Sequence, residues 1–141
     1  MRDIKFRGKT PSGKWVYGDL HIIATVRPHI HPDPFTKSVI DIKTAGQFTG
    51  LRDKNGKEIY EGDIVLNKEI GGYGMEYVGV VRYYEEDCRF GIDTTATNKF
   101  SKRILFSVGE MSINDGHCTI KYTNEYEILG NVHDNPELLD S

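Results

Sequence analysis

Long apolar runs are missing from this chain. No stretch approaches the ~18 apolar residues that a membrane-spanning helix requires, and the opening residues MRDIKFRGKT hold no apolar core of a secretory signal. A soluble, cytoplasmic protein is therefore expected. Cysteine is scarce: Cys88 and Cys118 are the two in 141 residues. Two distant cysteines form no disulfide framework and read as reduced thiols. No segment repeats its apolar residues at the helical period of about 3.6, so little helix is expected. A surplus of positive charge is missing as well. The net charge is −3 and the isoelectric point about 5.9, which argues against generic binding to nucleic acid.

What is present favours strands. Tyr, Phe, Val and Ile are prominent among the apolar residues, and 15 glycines against five prolines punctuate the chain with turns. Residues 3–7 alternate polar and apolar, TPSG (Thr10 to Gly13) is a turn, and KWVYGDL follows as a second strand. A β-hairpin from Asp3 to Leu20 results, with Trp15 and Tyr17 on one face and Val16 on the other. RPHIHPDP (Arg27 to Pro34) holds three prolines in eight residues and reads as an exposed loop. KSVIDIKT resumes a strand.

The stretch GLRDKNGKEIYEGDIV is the most tightly punctuated. Asn55-Gly56 and Glu61-Gly62-Asp63 are turn signals that need positive φ, flanking short extended pieces. YVGVVRYYEED is a long strand with a bend at Gly79, an acidic turn follows, and RFGID pairs back. YEILGNV is a further strand, and DNPELL a helical turn with Asn135 as cap and Pro136 first. TTATNKFSKR reads as loop and GGYG as a flexible tip. The spacing predicts a mainly β fold: an SH3-like barrel core over about residues 59–93, closed by the strand near 126–132. An N-terminal β-hairpin region (1–45) precedes the barrel region (46–141) within one domain. Ile64, Val65, Val80, Ile128 and Leu129 are the expected core.

The pieces IKFRGK, KWVYGDL, TAGQFTGLRDKNGKEIYEGDIV and EILGNVHDNPELL stand in the order and spacing of the YopX-like proteins, which this chain resembles. Segments 27–43 and 94–124 take no part in the likeness. The resemblance implies a small, mainly β protein encoded by bacteriophages and prophages, of a family without an established biochemical activity. It implies no catalytic residues.

The residues themselves complete no catalytic set. His29 and His31 form H-x-H, which on a strand turns both imidazoles to one side, but no third ligand stands nearby in sequence. His21, His117 and His133 are scattered, so surface histidines and no metal are expected. Cys88 or Cys118 with His117 and an acid would make a nucleophilic set, yet His117 and Cys118 are strand neighbours that face opposite ways. Glu85-Glu86-Asp87 reads as a solvated turn. GGYG lacks the Lys and Ser/Thr of a phosphate loop. No cofactor and no enzymatic activity are expected.

Two binding readings remain. Short strands with open edges and exposed aromatics point to self-association or to a host or phage protein as partner. The competing reading is single-stranded nucleic acid on an aromatic platform framed by basic groups: Lys5, Arg7, Lys14, Trp15 and Tyr17. The acidic balance places it second.

Overall fold

The computed structural model describes residues 3–24, 26–71, 76–94, 103–105, 111–114 and 119–139. Residues 72–74 of the GGYG tip and most of the 94–103 loop lie outside the described residues, as do His117 and Cys118. The chain is mainly β. The first sheet uses β1 (Phe6–Lys9), β2 (Trp15–Ile23), β3 (Val26–Asp33), β4 (Thr36–Val39), β5 (Asp41–Arg52) and β6 (Glu58–Tyr60) in the order β4-β3-β2-β1-β5-β6. The second uses β7 (Asp63–Gly71), β8 (Glu76–Tyr84), β9 (Arg89–Asp93), β10 (Arg103–Leu105), β11 (Met111–Asn114) and β12 (Thr119–Asn131) in the order β10-β9-β8-β7-β12-β11. A 3-10 turn, Pro136–Leu139, follows; its first bond runs from the Leu138 N–H to the Asn135 carbonyl, 3.1 Å.

The two predicted turns have the expected geometry. Gly56 and Gly62 have φ of 82° and 87°, the left-handed region that favours glycine. The Asp53 carboxylate organises the first turn. Its Oδ1 accepts the N–H groups of Asn55 and Lys57, both at 2.9 Å, and its Oδ2 accepts that of Ile128 at 3.2 Å. One buried side chain thus closes the β5–β6 turn and docks it on β12 of the other sheet. Gly62 is the crossing point between sheets. Its N–H bonds the Val81 carbonyl and its own carbonyl accepts the Val132 N–H, each at 2.9 Å.

Two apolar clusters follow from this layout. Ile59, Val65, Val81, Ile92 and Tyr126 are buried together, with Leu51, Phe90 and Ile128 packed against them. Leu51 and Ile59 come from the first sheet and the others from the second, so this core joins the sheets. Val16, Ile30 and Ile40 form a second cluster with Phe6, Leu20 and Ala45, all from the first-sheet part of the chain.

Four expectations need correction. The SH3-like barrel is not seen as a closed sheet. The second sheet ends at β10 and β11, and no ladder joins them among the described residues. The strand near 126–132 does lie beside β7, from Tyr122↔Gly71 to Asn131↔Asp63, but it carries β11 on its other side and so extends the sheet. Next, RPHIHPDP is mostly strand β3. Pro28 and Pro32 fall where the ladders are irregular, the first beyond the regular pairing that ends at His21↔His29 and the second between Ile30 and Asp33, and Pro34 lies in the turn that follows. A missing N–H is tolerated at such places. Leu129 is 42% exposed because it is the extra residue of a bulge between Ile128↔Val65 and Gly130↔Ile64. Finally, His29 is buried, 7% exposed, instead of lying on the surface.

Candidate functional site

The hairpin of β1 and β2 pairs Arg7 with Tyr17 and Lys9 with Trp15. Cross-strand partners share a face, so these four side chains stand together, opposite Val16. The face turns toward the start of β7. There Arg7, 6% exposed, donates from Nη2 to Asp63 Oδ1 at 2.8 Å. Its guanidinium lies 4.6 Å from the Trp15 ring centroid and 5.0 Å from that of Tyr60. An arginine between two aromatic faces and a carboxylate is held by stacking and charge together. The Asp63 Oδ2 accepts the Tyr60 N–H at 2.8 Å, which closes the Glu61-Gly62 turn from inside. Burial pushes the Asp63 carboxyl up from its usual range, against the pull of Arg7. Burial, reinforced by Glu58, raises the Tyr60 phenol likewise.

The segment after β12 fastens the outer side of the same face. Asp134 accepts from Lys9, from Trp15 Nε1 at 2.8 Å and from Asn131 Nδ2 at 3.1 Å. These donors hold its carboxyl well below the usual range. Asn131 Oδ1 in turn accepts the N–H groups of His133 and Asp134 at 3.0 and 2.9 Å. His133 packs against Trp15 with ring centroids 5.9 Å apart, and burial, then Arg7, lowers its pKa. Residues from IKFRGK, KWVYGDL, YEGDIV and GNVHDN thus meet in one place.

The proposed binding residues divide here. Arg7 and Trp15 are part of the clamp. Lys5 pairs with Glu58 and lies 5.2 Å from the Phe48 ring. Tyr17 is exposed but keeps an edge contact with Tyr60 at 5.6 Å. Lys14 is exposed in the turn before β2, where its N–H bonds Thr10. The platform reading of these residues leaves out their partners Asp63, Glu58 and Asp134. Their distance along the chain hid them; the matching of acid to base between motifs was the available signal.

A cleft of about 560 Å³ adjoins the clamp, lined in part by Lys43, Glu61, Arg82, Tyr83, His133 and Leu139. No Ser, Thr or Cys is among its described lining residues. Cys88 sits instead in the β8–β9 turn, exposed, with its thiol directed at the Glu85 carbonyl. No helix among the described residues is long and apolar enough to cross a membrane.

Two antiparallel sheets joined through a buried Arg–Asp clamp define an all-β protein. The YopX protein family matches residues 5–140, nearly the whole chain, and the chain belongs to that family. No curated protein matches it in sequence.

Proposed function

We propose that this protein is a non-enzymatic accessory protein of bacteriophages and prophages that works by protein contact, first of all with a second copy of itself. The observation that carries the reading is Phe35, 95% exposed at the head of edge strand β4. Its turn is held by one side chain: Asp33 accepts the N–H groups of Phe35 and Thr36, at 2.8 and 3.0 Å, and the Thr36 hydroxyl at 2.8 Å. A backbone already ordered by such a turn has little freedom left to lose when the ring it presents is bound. Beside it, β4 ends the first sheet, with Val39 also exposed. Edge strands invite pairing, and pairing with an identical edge gives a closed two-fold dimer.

Sedimentation velocity over a concentration series tests this. A dimer is expected, and Phe35→Ser combined with Val39→Lys is expected to give a monomer with unchanged melting. A parent that stays monomeric at high concentration would overturn the proposal. The nucleic-acid reading is weaker because Lys5, Arg7 and Lys9 already face carboxylates. Salt-sensitive binding of single-stranded DNA or RNA, lost in Lys5→Glu with Lys14→Glu, would reverse that order.

A further inference from the structure

The H-x-H pair has a third imidazole after all. In the β2–β3 ladder His21 stands directly opposite His29, and Asp19 directly opposite His31. Residues two apart on a strand share a face, so Asp19, His21, His29 and His31 form one square of donor side chains. Ile30, between the two histidines of β3, points the other way into the first-sheet core. The ring centroids are 4.2 Å apart for His21–His31, 4.8 Å for His29–His31 and 5.6 Å for His21–His29. Three imidazoles around a tetrahedral ion, with metal–nitrogen bonds of about 2.0–2.1 Å, bring their centroids to roughly 5 Å from one another.

We propose that His21, His29 and His31 bind one divalent transition-metal cation of the zinc class, with Asp19 as the fourth donor. Two further observations point to a ligand. The Nε2 of His31 is buried with no hydrogen-bond partner, and an unpaired buried nitrogen is costly unless something completes it. The Nδ1 of His29 lies 3.0 Å from the Arg27 carbonyl. A proton on that nitrogen leaves Nε2 with its lone pair, the arrangement in which a backbone carbonyl orients a ligating imidazole. A cleft of about 380 Å³ opens on Asp19, His21 and His31 and offers the ion a way in.

As the rings stand, no three such side chains among the described residues are set to hold an ion. His21 and His29 lie nearly parallel, at 8°. His21 is exposed, so it is the ring free to turn its nitrogen inward. Imidazole donors with one carboxylate suit zinc or nickel better than magnesium or calcium.

Calorimetric titration of the untagged protein with Zn²⁺ at pH 7.5 tests the site. One equivalent is expected to bind, weakened ~10-fold or more by His21→Asn and by His31→Gln, and unaffected by Cys88→Ser. His21 is exposed, so its variant is expected to fold like the parent and to keep the test valid if the His31 variant does not. Absence of Zn²⁺ binding, or binding that His21→Asn leaves intact, would overturn the proposal.

Discussion

The two ends of the first sheet are built differently. At one end, β1, β5 and β6 are fastened to the second sheet by Arg7–Asp63, by Asp53 reaching Ile128 and by Asp134 holding Trp15 and Lys9. Ile59 there is fully buried in the shared core. At the other end, β3 packs on the smaller cluster within the first sheet through Ile30, β4 pairs only with β3 at the edge, and Ile22, Ile23, Val26 and Phe35 remain exposed. Charged groups at the first end are consumed by the fold. The exposed apolar groups at the second end are the surface on which the proposed contacts rest. The difference teaches where to look for function: a buried arginine between aromatics is an architectural part here, however much it resembles a binding residue in sequence.

The largest effect should come from breaking the clamp. Arg7→Met strands the Asp63 carboxylate in a buried position, and a loss of ~3–5 kcal/mol is expected in urea unfolding. Adding Asp63→Leu should recover part of it, since the uncompensated charge is then gone. A loss below ~1 kcal/mol for Arg7→Met, typical of a surface pair, would show that the fastened end is not held as described.

Next in size is the crossing turn. Gly62→Val forces a branched side chain into positive φ at a residue whose N–H and carbonyl both bond the second sheet, for an expected ~1–3 kcal/mol. Gly56→Val meets the same strain, but a Cβ there has open space around it. It should cost ~1 kcal/mol, the lower end of that range. Equal melting temperatures for the two variants would remove the distinction between a turn that joins sheets and one that closes a hairpin.

Acid should act on the fastened end with a smaller effect. Hydrogen-bond donors hold Asp134 low, and for Asp53 three backbone N–H groups outweigh the upward push of burial. A carboxyl with a depressed folded pKa contributes stability that is present above about pH 4 and is lost as pH falls through its folded value. Asp63 has the opposite sign, because burial raises it. Asp134→Asn is therefore expected to flatten the fall of stability between about pH 4 and pH 2. An unchanged slope in pH-dependent denaturation would contradict the role of Asp134.

Much of the fastened end was legible in the sequence. Asn55-Gly56 and Glu61-Gly62-Asp63 announced their turns through residues that tolerate positive φ, and the apolar stretches around Val65 and Val80 announced buried strands. Local signals sufficed because the cause was local. The partner of Arg7 was not legible because a basic residue on a short strand looks the same whether it meets water or an aspartate 56 positions away. His21 was missed as a neighbour of His29 for a related reason: strand register, not chain spacing, brings them together. RPHIHPDP defeated propensity because Pro28 and Pro32 coincide with ladder irregularities, which only the pairing of β3 with both neighbours reveals. The open second sheet was hidden by β11, a partner for β12 in a segment that carried no recognisable motif.

Backbone hydrogen exchange followed residue by residue tests the contrast between the two ends most directly. Amides of β5, β6 and β7 should exchange only through global unfolding, whereas those of β3 and β4 should exchange through a local opening of lower free energy. The gap should be visible as a different dependence on low denaturant for the two groups. A common exchange free energy across β3, β4 and β7 would mean that the sheet is one cooperative unit, and would contradict the division into a fastened and a free end.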